Sequence, residues 1–322
     1  MKKEIFYSLT TLLMLASCSA DDAVSTTDSL RAKLQLGVVV NEMESRVGSN
    51  EHNTFDVSDD FGVSVYSGGQ TIVNNKMMVL QSSTIEADDS QLLSAVDGES
   101  LGLAMGTNNI ICTSPYIPDF AATTTVTIPA DQTTIENYRK ADICAGTYSL
   151  SNGLTFGTSS KIVNATIPMD HMTAKIIVRV VNSDSYPTAT ANSYTFKVNH
   201  VPTTFDLKYS STRNVFTANF PRGEESITGT IPAGGGAGCC LVPQTVVVAQ
   251  QKNFITVTDA NGNTWSYTMS STWNDDFGSG RAYEFVLRLN KPGVGTSEAE
   301  LVQANVVPWD KVTDTFDIEL NH

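Results

Sequence analysis

Leu34, Leu36, Val38 and Val40 occupy every second position of one segment, and this two-residue period limits the fold more than any other feature. It places all four side chains on one face of an extended strand. Short runs rich in Thr, Val, Ile and aromatic residues follow along the chain. They are Phe61 to Tyr66, Thr124 to Ile128, Lys175 to Val181, Tyr194 to Val198, Val246 to Ala249, Phe254 to Val257, Thr264 to Met269 and Tyr283 to Leu289. Gly, Asn, Asp and Pro break them, and Asn261-Gly262 between two of them is a hairpin signal. Helical periodicity is weak, and Thr134 to Ala141 reads as one short helix. The expected fold is all-β, built from antiparallel β-sandwiches. A chain of 322 residues fits two such domains in tandem. Gly-Ser-Thr-rich sequence before the strand near Lys175 puts their division between residues 163 and 164. The glycines from Gly234 to Gly238 read as a loop of the second domain.

The N-terminus reads as a targeting segment. Lys2 and Lys3 precede an apolar run from Ile5 to Leu15, too short for a membrane span of roughly 20 residues. Residues 1–17 therefore form a secretory signal peptide. Leu15-Ala16-Ser17-Cys18 resembles the lipobox of bacterial lipoproteins, which makes Cys18 the acylated residue; the alternative is an ordinary signal peptide with a chance cysteine. Ser19-Ala20-Asp21-Asp22 resembles the acidic signal that sends some lipoproteins to the outer face of the outer membrane. Residues 19–30 are small and polar and read as a tether.

A formal charge of -14 disfavours nucleic acid, whose phosphates need clustered Lys and Arg. Cys112, Cys144, Cys239 and Cys240 remain after Cys18. Cys112 with Cys144 is a possible disulfide, free buried thiols are the equal alternative, and no spacing resembles a zinc site. Gly-x-Ser-x-Gly, His-Glu-x-x-His and phosphate-loop motifs are absent from the sequence. His52, His171, His200 and His322 are scattered, and His171, just before a strand, reads as structural. The pairs Asp59-Asp60 and Asp275-Asp276 read as solvated turns before Ca²⁺ ligands or acid–base pairs. Trp265, Tyr267 and Trp273 read as core and cross-strand partners, with a sugar platform as the alternative. No metal, cofactor or catalytic residue is expected.

Several landmarks together resemble the FimA/Mfa-type fimbrillins, lipoprotein pilins of certain anaerobic Gram-negative bacteria. A lipobox is followed by one strand and then by Arg46. Phe61 to Tyr66 is similar to the family's early Gly-Val-aromatic strand, and Tyr138 to Gly146 to a short apolar strand ending the first core. Asp170 to Ile176 is similar to its His-x-x-Ala-Lys element, Gly280 to Leu287 to its Gly-basic-x-Tyr strand, and Val306 to Trp309 to its near-terminal Val-x-x-Trp.

The resemblance implies two transthyretin-like, Greek-key sandwiches, covering residues 47–163 and 164–322, after a lipidated tether and removable first strand at 18–46. It implies an extracellular arginine-specific protease that cuts between Arg46 and Val47. The loss of Leu34, Leu36, Val38 and Val40 then opens a groove that a strand of another fimbrial subunit fills. The tail at 311–322 carries Val312, Phe316, Ile318 and Leu320 with the same parity, interrupted by Asp314, and is the candidate donor. The plain alternatives are an ordinary first strand and a tail that pairs within its own domain. The implied role is a non-enzymatic subunit of a surface fimbrium acting in adhesion, with the precursor held to the outer membrane by lipid. Host protein or glycan is a possible partner. Alternatives are a surface lipoprotein that binds glycan without polymerising, an anchor or tip accessory subunit, and a β-sandwich hydrolase.

Overall fold

A computed structural model describes residues 33–40, 54–154, 162–273, 275–293, 297–307 and 309. In chain order the elements are β1 (Lys33–Val40), β2 (Asp60–Ser67), β3 (Gln70–Leu80), β4 (Gln91–Ala95), β5 (Leu101–Gly102), β6 (Gly106–Ser114), β7 (Thr123–Thr127), α1 (Ile135–Ala141), β8 (Cys144–Leu154) and β9 (Ile162–His171). There follow β10 (Thr173–Val181), β11 (Tyr194–Val201), β12 (Thr204–Ser210), β13 (Val215–Ala218), β14 (Glu225–Ile231), β15 (Ala237–Pro243), β16 (Ile255–Asp259), β17 (Thr264–Tyr267), β18 (Ala282–Leu289) and β19 (Ser297–Val307). The all-β architecture expected from the alternating runs is present, and α1 is the short helix. Thr134 caps α1 by accepting a hydrogen bond from the Asn137 N–H.

The first sheet runs β4-β3-β2-β6-β8-β9-β1-β5, and β1 also pairs with β4. That extra pairing closes β1, β4, β3, β2, β6, β8 and β9 into a ring around a mainly aliphatic core that includes Phe61, Val63, Leu93, Ile110 and Ile167. In the second half, β14-β11-β16-β17 faces β19-β18-β10-β15, and the two layers join where β17 meets β19. Phe196, Val257 and Trp265 from one layer and Ile176, Val178, Phe285 and Leu287 from the other fill the space between. Gly238 is needed there, because a Cβ would stand 2.0 Å from the Thr230 carbonyl oxygen. Among the described strands, three pairings, β1–β9, β10–β18 and β17–β19, run parallel. A parallel neighbour needs a long crossover, and β1 reaches β9 only after the whole first sheet has been laid down. The sheets are therefore mixed, not purely antiparallel.

Local expectations fail where packing outweighs pattern. Val246 to Ala249 is a loop, and the strand lies before it at Ala237–Pro243, so the Gly-rich turn is shorter than expected. Tyr138 belongs to α1, and the strand after it starts at Cys144. The division placed between 163 and 164 falls inside β9, which pairs with β8 and β1 in the first sheet; the chain crosses to the second sheet at Met172. The halves are also interlocked. β7 from the first half pairs with β12 in a separate sheet, β13-β12-β7, and Tyr66 stacks on Tyr209. On the outer face of the β10–β15 layer, Tyr138 of α1 and Trp309 cover Ile177, Cys239, Ala282 and Val307.

Candidate functional site

β1 is the element around which the candidate site is built. Its sequence, KLQLGVVV, combines β-branched residues with strict alternation, so its backbone prefers to be extended and one face is wholly apolar. Leu36 and Val38 have no exposed surface, and Leu34 and Val40 at the two ends have 7% and 9%. All four belong to the core of the ring. Burying them contributes on the order of 6–12 kcal/mol before entropic costs, at roughly 1.5–3 kcal/mol each.

Both edges of β1 are occupied. One edge pairs in parallel with β9 through eight positions, from Lys33 with Ile162 to Val40 with Met169. The other pairs antiparallel with β4 at Gly37 and Val38 and with β5 at Lys33 and Leu34. Gly37 is held closely from outside. A Cβ there would stand 2.9 Å from Ser90 Oγ and 3.4 Å from Thr166 Oγ1. Ser90 and Thr166 both donate to Asp88, at 2.6 and 3.1 Å. The Ser90 hydroxyl, helped by Thr166, holds the Asp88 carboxyl below its ordinary value. Gln91, the partner of Val38, also grips the returning chain: Phe55 N–H donates to its Oε1 and its Nε2 donates to the Phe55 carbonyl.

The far end of the groove meets the root of the C-terminal tail. Val40 pairs with Met169, two positions before His171. The His171 ring stacks on Trp309 with centroids 4.0 Å apart, and Lys175 donates to the Trp309 carbonyl oxygen at 3.3 Å. Trp309 thus lies at the end of β9 where that strand receives the last residue of β1. His171 Nδ1 also lies 2.7 Å from Asp142 Oδ1 and 3.4 Å from Cys144 Sγ, and its Nε2 has no hydrogen-bond partner among the described residues. Burial first, and then the negative charge of Asp142, pushes the Cys144 thiol well above its ordinary value. Thiol and carboxylate approach the same ring nitrogen. A nucleophilic relay needs them on opposite nitrogens.

Cys18, Arg46, Val47, Val312, Phe316, Ile318 and Leu320, with Asp314, lie outside the described residues, as do His52 and His322. Cys112, Cys144, Cys239 and Cys240 are all buried, and no disulfide joins Cys112 to Cys144, so of the two alternatives for that pair the structure has buried thiols. The sugar platform is not formed. Trp265 and Tyr267 are core residues, with Trp265 Nε1 donating to the Asn290 carbonyl, and Trp273 packs on Phe277 and Phe285. The carboxylate pairs serve the backbone. Asp59 accepts from the Asp56 N–H, Asp60 from Tyr116 N–H and Asp276 from Val247 N–H. Sequence reasoning missed the pins on β1 supplied by Asp88, Ser90, Gln91 and Thr166. It also missed the grouping of Asp142, Cys144 and His171, whose only local signal is the Asp-x-Cys spacing.

The fold and site together define a class: a double β-sandwich whose first strand is buried in a ring it helps to close. The fimbrillin-like family profile matches residues 45–309, and the chain belongs to that family. No curated protein matches the sequence. Among solved structures, a candidate cell adhesion protein of Bacteroides uniformis superposes with a TM-score of 0.60 at 15% identity, covering 87% of this chain and 99% of that one. One from Bacteroides ovatus gives 0.62 at 14% identity, with 87% and 98% covered. The tip fimbrial protein Mfa3 of Porphyromonas gingivalis gives 0.48 at 12% identity, with 87% and 100% covered. The first two establish a shared fold.

Proposed function

We propose that the chain is a non-enzymatic subunit of a bacterial surface fimbrium, that β1 is a removable plug, and that subunits join by strand exchange. The observation that carries this reading is the state of β1. It is buried along one face and hydrogen-bonded on both edges, yet it joins the rest of the protein only through residues 41–53, where Arg46 lies. A cut between Arg46 and Val47 followed by release of β1 removes four core side chains and bares the edges of β9 and of β4 and β5. Such edges bind extended segments. The tail of a second copy, with Val312, Phe316, Ile318 and Leu320 on one face, is the occupant. Setting Asp314 at either end of the groove, where Leu34 or Val40 now sits at the rim, keeps its carboxylate out of the dry centre.

Within this proposal the two sandwiches are of the transthyretin-like type. Residues 1–17 direct export, lipid on Cys18 holds the precursor at the outer membrane, and an arginine-specific protease discards both lipid and plug. The working form then acts in cell adhesion.

Purified precursor treated with an arginine-specific protease tests the reading. The expected product begins at Val47 and forms ladders that resist mild SDS. A stable monomer after cleavage at Arg46 overturns the exchange mechanism. Ladders that persist after deletion of residues 311–322 exclude the tail as donor.

A further inference from the structure

We propose that Asp142, Cys144 and His171 form a binding site for one borderline-soft divalent cation, Zn²⁺ in the first place, at the junction of the two sandwiches. The three side chains come from the C-cap of α1, the first residue of β8 and the last residue of β9. Cys144 and His171 are direct cross-strand partners, so their side chains share one face of the sheet. The ligand atoms of the three residues all lie within 4.8 Å of one another.

The spacing fits the ion. Tetrahedral zinc bound at ~2.0–2.3 Å sets N, O and S ligand atoms roughly 3.4–3.6 Å apart. Here Sγ and Nδ1 are 3.4 Å apart and Sγ and Oδ1 3.8 Å. Only the Nδ1–Oδ1 contact of 2.7 Å has to open, by about 0.7 Å for that geometry. A thiolate, an imidazole and a carboxylate are the three protein ligand types that zinc takes, and three such ligands leave a fourth position for water. Asp142 retains 30% side-chain exposure, which provides a route in from solvent.

The surroundings favour a cation. Asp59, Asp142 and Asp170 all act on the Cys144 thiol as negative neighbours. A bound dication would be the dominant charge among them and would offset their mutual repulsion. Binding replaces the Sγ–H bond by an Sγ–metal bond and releases one proton to solvent, and the neutral imidazole carries its proton on Nε2 so that Nδ1 can ligate; affinity therefore rises with pH. The ion would tie the end of β9, whose edge receives β1, to β8 and to α1.

The purified full chain, reduced and stripped of metal, is titrated with Cd²⁺ and Co²⁺ as spectroscopic probes and with Zn²⁺ in competition. The expected result is one equivalent bound, with a thiolate-to-metal charge-transfer band in the ultraviolet and a higher melting temperature. Cys112→Ala and Cys239→Ala should keep the band, and Cys144→Ala should lose it. Asp142→Asn, at a half-buried position, should fold like the parent and bind at least tenfold more weakly. Absence of the band from folded parent protein overturns the proposal. So does a band that survives Cys144→Ala, or unchanged affinity in Asp142→Asn. The ladder assay does not read this site, so the fimbrial reading and the metal site fail separately.

Discussion

Four of the nineteen buried residues in the core of the first sandwich, Leu34, Leu36, Val38 and Val40, belong to a strand joined to the rest only through residues 41–53. The second sandwich has no such dependence. Its leading strand β10 lies between β15 and β18, and its core is rich in packed rings, including Phe254, Trp265, Phe277, Tyr283 and Phe285. Among the described residues buried in the core of the ring, only Phe55 and Phe61 are aromatic, with Tyr148 packed against that core at its margin. Aromatic pairs demand particular orientations, whereas an aliphatic slot accepts any strand of suitable parity. The edges differ too. In the ring β1 covers the edge of β9 on one side and of β4 and β5 on the other, while on the outer edge of β15 one side chain, Gln132, pairs with Leu241. Its Nε2 donates to the Leu241 carbonyl and its Oε1 accepts from the Leu241 N–H. The proposed strand exchange asks the first sandwich to open and refill and the second to stay shut.

Four experiments break or sharpen this contrast, each read by calorimetry with separate transitions assigned to the two halves. Leu36→Asp should have the largest effect. An unpaired carboxylate at a fully buried position has no compensating partner, so the transition of the first sandwich should vanish and that of the second survive. Loss of both transitions would show that the interlock through β7 and β12 makes one cooperative unit. Phe285→Ala should destabilise the second sandwich by about 3–5 kcal/mol and leave the first unchanged.

The third experiment varies pH. Burial pushes the Asp59 carboxyl up from its ordinary value of 3.8 to about 6, against the pull of the Asp56 N–H and of Arg139. The folded state then binds the proton more strongly than the unfolded chain. Stability of the first sandwich should fall as pH rises from 3.8 to 6, by on the order of 3 kcal/mol. Asp59→Asn should flatten that slope, and a slope that persists assigns it to other groups. Fourth, Gln132→Ala should cost the second sandwich about 2 kcal/mol by stranding two buried backbone groups. A loss in the first sandwich instead would mean that Gln132 serves the junction and not the edge.

Legibility in the sequence followed the range of the forces involved. The alternation at Leu34 to Val40 was readable because a strand's facing is local, and each of its inward residues is buried as the period requires. The hairpin at Asn261-Gly262 was readable for the same reason: Gly262 has φ +83°, and Asp259 Oδ1 accepts from the N–H groups of Asn261 and Asn263. The strand at Ala237–Pro243 was hidden by Gly238 and by the glycines just before it. It is buried at every position, so it shows no polar–apolar alternation. Trp265 and Trp273 carry no mark that separates a sugar platform from a core, since both uses favour aromatics at strand spacing. Val246 to Ala249 has strand composition but finds no neighbouring edge to pair with among the described residues.

The sequence by itself determined that this chain forms short strands with one buried face, that one of them stands first, and that a lipobox-like cysteine and Arg46 flank it. These follow from steric periodicity and from the chemistry of short motifs, both of which act over a few residues. Only the tertiary structure decided that β1 lies parallel to β9, that it closes a ring, and that Asp88, Ser90 and Gln91 pin it there. The same holds for the meeting of Asp142, Cys144, His171 and Trp309 beside its far end. Those contacts join residues up to 138 positions apart (309 against 171), and only the packing of two complete sandwiches brings them together.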